Sequence, residues 1–325
     1  MILIIVQYGV MSRTRSVAIA VVGLASLALA GCSAGDSGPD ASSGDSSDPI
    51  AVMAAFYPLQ YAAEQVGGAD VTVTGLTPPG AEPHDVELTP QQIAEVSEAD
   101  LILYIKGFQP AVDEAVAQVA PDKAVDVSQG ITLLKGEDHH EGEAAGEEHG
   151  EESATDPHIW LDPLNMVTIA DTITARLGEI QQDNSTTFAA NAATLDQQLT
   201  DLDEQWSAQT GQCASRDLVV SHEAFGYLAK RYGFTQLGIS GLSPEAEPSP
   251  AKVAEVTDFV RKNKVKTIYF ETLVDPKVAE TVATETGAAT AVLDPLEGLP
   301  EGSDETYLTV MQQNLATVVA GQPCP

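Results

Sequence analysis

The sequence predicts an α/β protein built as two parallel-sheet lobes joined by one long helix. Three observations predict it. Short apolar runs alternate with helical segments from Pro49 onward, and the same alternation resumes at Asp217. Such alternation marks parallel strands covered by helices. Between the two stretches, from Asn165 to about Gln209, apolar residues recur at spacings of three and four without a strand-like run, which reads as helix alone. No internal repeat relates the two halves.

In chain order, "IAVMAAFYP" reads as a strand, "LQYAAEQVGG" as a helix closed by Gly67 and Gly68, and "VTVTGL" as a second strand. Thr89 is placed to cap a helix with Pro90 at its first position, and "DLILYI" follows as a buried strand. "MVTIADTITARLGEI" and "FAANAATLDQQLTDLDEQW" are two helices separated near "QQDNS", the second unusually long. The alternation then returns as strand "DLVVSH", helix "AFGYLAKRYG", strand "TQLGI", helix "PAKVAEVTDFVRKN" capped by Ser249, strand "KTIYFE", helix "PKVAETVATETG", strand "ATAVLD" and a final helix "DETYLTVMQQNLATVVA". The expected division is an N-terminal lobe over 49–183, a linking helix over 184–211 and a C-terminal lobe over 212–325.

A formal charge of -33 argues against nucleic acid or an anionic membrane surface as partner, since both are held by clustered Lys and Arg. Cations are the natural guests. At the N-terminus, Arg13 and Arg15 precede the apolar run "SVAIAVVGLASLALA", a secretion signal over residues 1–31 to which the segment ahead of Met11 adds nothing. Leu29, Ala30, Gly31 and Cys32 resemble a bacterial lipobox, which implies cleavage before Cys32 and a lipid anchor on its sulfur. Residues 32–48 then form a Ser/Gly/Asp tether with nothing to bury. Only Cys213 and Cys324 remain, and an oxidising exterior favours a disulfide between them.

Chemistry concentrates in the histidines. His84 lies in "EPHDVELTP", His158 in "DPHIWLDP" and His222 in "SHEAFGYLAKRYGF", each read as sitting between a strand and the next helix. Ligands of open α/β sheets collect at the carboxyl ends of strands, so the three can converge in the cleft between lobes. Neutral imidazoles suit Zn(II), and a carboxylate would complete a tetrahedron. "AVLDPLEGLP" offers two, Asp294 and Glu297. The other three histidines, His139, His140 and His149, lie in "EDHHEGEAAGEEHGEE", residues 137–152, which has no apolar side chain larger than Ala and reads as a solvated, disordered loop.

From about Pro49 to its end the chain resembles the metal-binding solute-binding proteins of bacterial ABC importers, and within the manganese/zinc class the zinc-uptake group. The resemblance rests on "EPHDVELTP", on the acid- and His-rich insertion followed by "DPHIWLDP", on "SHEAFGYLAKRYGF" and on "VLDPLEGL", in that order. It implies that His84, His158 and His222 bind metal, that Glu297 is the fourth ligand with Asp294 as the alternative, and that one rigid helix joins the lobes. It further implies a zinc-delivering, lipid-anchored monomer on the outer face of the cell membrane, with an ABC permease as partner. In such relatives the insertion binds a second, weaker zinc or concentrates it near the cleft, a role that would fall to His139, His140 and His149.

Rival readings are a manganese or iron carrier of the same class, a surface adhesin and a zinc hydrolase. "HEAFG" opens like the H-E-x-x-H metalloprotease motif, but Gly226 stands where the second His is needed. Glu223 reads as a helix-start acid rather than a general base. The adhesin reading has no support from repeats or aromatic-rich patches, with aromatics at 5%.

Overall fold

The computed structural model describes residues 48–136 and 155–324. The secretion signal, Cys32, the tether up to residue 47 and His139, His140 and His149 lie outside the described residues. Among the described residues no helix is long and apolar enough to cross a membrane.

The first half is a β/α alternation: β1 (Ile50–Ala54), α1 (Tyr57–Gly67), β2 (Val71–Gly75), α2 (Pro90–Glu98), β3 (Leu101–Tyr104), α3 (Pro110–Val119) and β4 (Ala124–Asp126). Its strands form one parallel sheet in the order β2-β1-β3-β4. Gly68 ends α1 at φ +57°, a conformation that a side chain would strain. Thr89 and Gln92 close α2 with a reciprocal capping box. Then come α4 (Pro163–Ile180) and α5 (Ser185–Thr210), and the alternation resumes with β5 (Asp217–Val220), α6 (Gly226–Tyr232), β6 (Thr235–Gly238), α7 (Pro250–Asn263), β7 (Thr267–Phe270), α8 (Lys277–Thr286), β8 (Ala289–Val292) and α9 (Tyr307–Gly321). The second sheet is also parallel, ordered β6-β5-β7-β8, the same winding as the first.

At 1.5 Å per residue, α5 is about 39 Å long. Phe188, Ala192, Leu195, Leu199, Leu202 and Trp206 bury one stripe of it against α4, α1 and α9. Near its end Asp203 accepts hydrogen bonds from Arg231 Nη2 (2.7 Å) and the Tyr232 hydroxyl (3.0 Å), tying the helix to α6. Cys213 and Cys324 are disulfide-bonded, fastening the end of the chain beside the start of β5.

Two differences from the sequence reading bear on function. The pair α3 and β4 is additional to the elements anticipated. His158 also does not follow a strand as His84 and His222 do: β4 ends at Asp126, and His158 enters a single 3-10 turn, Ile159–Leu161, just ahead of α4. It is delivered by a connection, closed near its ends by a bridge between Lys135 and Thr155.

Candidate metal centre

Each of the four side chains reaches the centre by its own device. His84 lies in the β2–α2 connection, where Glu82 accepts hydrogen bonds from the backbone N–H groups of His84 (3.0 Å) and Asp85 (3.3 Å). Gln109, buried at the start of α3, donates to Thr77 Oγ1 (3.0 Å) and the Pro83 carbonyl (3.1 Å) and so pins the same connection. The additional helix therefore has a task in holding His84.

Asp156 holds His158 by accepting from its backbone N–H at 2.9 Å and its ring Nδ1–H at 2.8 Å. Glu271, just after β7, holds His222 in the same way, accepting from Nδ1–H at 2.9 Å and from the Ser221 hydroxyl at 2.7 Å. A carboxylate on Nδ1 fixes the tautomer and leaves Nε2 to face a metal.

Glu297 is aimed by a strained turn. Leu296, fully buried, has φ +58°, a left-handed conformation that costs a non-glycine residue of order 1 kcal/mol or more and persists only when neighbours enforce it. Asp294 is one enforcer: its Oδ1 accepts from Leu296 N at 2.7 Å and its Oδ2 from Thr272 Oγ1 at 2.8 Å. Trp160 Nε1 donates to the Pro295 carbonyl at 2.7 Å from the opposite side of the cleft. Asp294, the alternative fourth ligand, thus has both carboxylate oxygens engaged in shaping the turn, and it stays outside the cluster that Glu297 joins.

That cluster is His84, His158, His222 and Glu297, whose candidate ligand atoms all lie within 4.8 Å of one another. Glu297 Oε1 is 3.2 Å from His84 Nε2 and 3.1 Å from the Nε2 atoms of both His158 and His222, while His84 and His158 Nε2 are 3.4 Å apart. Tetrahedral bonds of about 2.0–2.1 Å put ligand atoms roughly 3.3 Å from one another, so this spacing suits one Zn(II). His158, His222 and Glu297 are essentially sealed, and His84 is the most exposed at 8%. Phe108 stands edge-on to the His84 ring, with centroids 4.7 Å apart.

Burial and mutual charge set the protonation. Burial opposes ionisation of Glu297, but His222, His158 and His84 outweigh it and hold the carboxyl well below its usual range. His222 is pushed up to about 10: burial works against its charge, and Glu297 and Glu271 overcome it. His158 rises for the same reason, through Asp156 and Glu297. His84 moves down, because burial outweighs what Glu297 returns. Glu82, at the edge, is raised by burial to about 7.

Sequence reasoning missed Asp156, Glu271 and Gln109. Asp156 stands two places before His158, and Glu271 is an acid ending an apolar strand run, so both carried a signal. The H-E-x-x-H reading fails on local structure as well as composition, since His222 precedes α6 instead of riding on it. Glu223 is buried and lies two residues ahead of Phe225, the N-cap of that helix, so it is not an acid of the helix's first turn as expected.

A family model described as "Zinc-uptake complex component A periplasmic" matches residues 52–321. Zinc-binding protein AdcA of Streptococcus pyogenes serotype M3 is 34% identical over 284 residues, covering 83% of this chain and 55% of that protein. The chain thus spans about half the length of such streptococcal relatives. High-affinity zinc uptake system protein ZnuA of Bacillus subtilis is 34% identical over 296 residues, covering 89% and 92%. Among solved structures, the Zn(II)-bound ZnuA-like domain of Streptococcus pneumoniae AdcA superposes with a TM-score of 0.71 at 32% identity, covering 85% of this chain and 99% of that one. The laminin binding protein Lmb of Streptococcus agalactiae, described as bifunctional with adhesin and metal-transporting activity, does so with a TM-score of 0.73 at 31% identity, covering 84% and 99%.

Proposed function

The chain belongs to the zinc-uptake complex component A family, and from that premise we propose that it captures Zn(II) outside the cytoplasm and delivers it to an ABC-type membrane permease for high-affinity uptake. One observation carries the reading: three imidazole Nε2 atoms converge on a single buried carboxylate oxygen at 3.1–3.2 Å. A nitrogen-rich, four-membered set suits zinc, whereas Mn(II) prefers more numerous hard oxygen ligands. His84, His158, His222 and Glu297 are the ligands in this reading, and Asp294 shapes their turn. The protein is not an enzyme here, because four protein ligands leave no open position for a zinc-bound water.

The lobes over 49–183 and 212–325, joined by the helix region 184–211, settle around the ion as a monomer tethered through lipid on Cys32. Docking on the permease disturbs the ligand set and frees the cargo. His139, His140 and His149 act as auxiliary capture sites that raise the local zinc concentration, which the acidic charge of the chain also favours.

Metal analysis after exposure to equal Zn(II) and Mn(II) tests the reading, run on the wild type, on His222→Ala and on a deletion of 137–152. The expected result is one zinc in the wild type and in the deletion, and weakened retention in His222→Ala. Manganese in its place, or zinc lost only with the deletion, contradicts the proposal.

A further inference from the structure

The carboxylates behind His222 and His158 are supported from different places. Glu271 stands just past β7, in the sheet that also carries His222. Asp156 stands in the connection after β4, and its support comes from α6, the helix that begins four residues after His222. A Cβ at Gly226 would lie 2.5 Å from Asp156 Oδ2 and 3.6 Å from Leu134 Cδ1, so the carboxylate occupies space that only glycine leaves open. The next residue, Tyr227, is 4% exposed; its hydroxyl donates to the Asp156 carbonyl at 2.8 Å and accepts from Leu134 N–H at 2.9 Å. Asp156 N–H in turn donates to the Leu134 carbonyl at 3.0 Å. Side chain and backbone of Asp156 are both held by consecutive residues of one helical turn.

We propose that Gly226 and Tyr227 are positioning residues for zinc capture: the first turn of α6, in the half of the molecule that bears His222 and Glu297, fixes Asp156 and thereby aims His158 Nε2 from the other half. The inference rests on the zinc-capture reading and deepens it. His158 is a conditional ligand, well placed only while Leu134 and Asp156 stay against the first turn of α6. Without these contacts Asp156 loses its hold on the His158 ring, and zinc dissociates faster.

The test uses the full chain with Tyr227→Phe, Gly226→Ala, His158→Ala and a control, Tyr232→Phe. The control removes a hydroxyl from the same helix that bonds Asp203 instead of Asp156. Zinc affinity by chelator competition, the zinc dissociation rate, the visible spectrum of the Co(II) form and the Tm are measured for each. Outer-shell partners of metal ligands are worth about 10- to 100-fold in affinity. Tyr227→Phe is expected near 10-fold and Gly226→Ala toward 100-fold, both through faster dissociation and with altered Co(II) bands. Tyr232→Phe loses Tm but keeps wild-type affinity and spectrum. Wild-type affinity, dissociation rate and Co(II) spectrum in both Tyr227→Phe and Gly226→Ala, with His158→Ala weakened, overturn the proposal alone. Wild-type binding in His158→Ala overturns the site reading and this proposal with it.

Discussion

The two sheets share one winding order and each half contributes two side chains to the centre, yet their histidines are prepared differently. His222 is sealed, held by Glu271 from its own sheet and charged at neutral pH in the absence of metal. His84 is the most exposed of the set, carries no charge at neutral pH because its pKa falls below 6.5, and owes its place to backbone bonds in its connection. A site assembled from two halves can thus combine one ligand free to meet an ion with another that must first lose a proton.

The largest expected effect breaks that contrast at its rigid end. His222→Ala opens a gap that the sealed surroundings fill poorly, and zinc affinity should fall by about a thousandfold, roughly 4 kcal/mol. His84→Ala leaves a place that water can reach and should be milder by about tenfold, or 1.4 kcal/mol. Equal losses in chelator competition would show that exposure does not distinguish the two histidines.

Protons sharpen the comparison next. His222 titrates near 10 without metal, so at pH 7.5 zinc must displace a proton from it, and His158 is shifted in the same direction by Asp156 and Glu297. Calorimetry in buffers of different ionisation enthalpy should therefore find at least one proton released per zinc, with affinity falling as pH falls. Stability of the metal-free protein follows the same groups. The contribution of His222, raised above 6.5, is fully present below that pH and is lost as pH rises toward about 10. Glu297, depressed below 4.5, contributes above that value and loses its contribution as pH falls further. The metal-free Tm should decline from pH 6.5 to 10, and zinc should abolish the decline. An unchanged metal-free Tm across that range would remove the paired charge from the account.

Smaller effects fall outside the centre. The disulfide closes a separation of 111 residues, and its reduction should cost about 3 kcal/mol of stability while leaving zinc bound. Coincident loss of zinc on reduction would mean that the second half depends on it for the geometry of the site. The smallest effect is expected from deleting 137–152: cleft affinity stays the same and only loading from scarce zinc slows.

Much of this arrangement was legible beforehand where local chemistry decides it. Ser249 and Pro250 mark the start of α7, which runs as anticipated to Asn263. Thr89 and Pro90 likewise mark the start of α2, and the three-and-four spacing marks α5. The pair α3 and β4 was missed because "AVDEAVAQV" carries little polar contrast and β4 is three half-buried residues, a pattern that gives no alternation to read. At the centre, residue types and strand ends identified His84 and His222, whereas His158 was found by its residue type although the strand end expected before it is absent. Preferring Glu297 over Asp294 rested on the resemblance alone; its physical reason, the positive φ of Leu296 and the bonds that occupy Asp294, is a property of a folded turn. Gly226 was noticed for the histidine it is not; the reason for a glycine there, the approach of Asp156, appears only when two distant segments meet.

X-ray absorption at the zinc edge of the loaded protein tests the central claim most directly. Three imidazole nitrogens and one carboxylate oxygen at about 2.0–2.2 Å are predicted, becoming two imidazoles in His222→Ala. Fewer than three imidazoles in the wild type, or an unchanged shell in the variant, would contradict a metal held by His84, His158, His222 and Glu297.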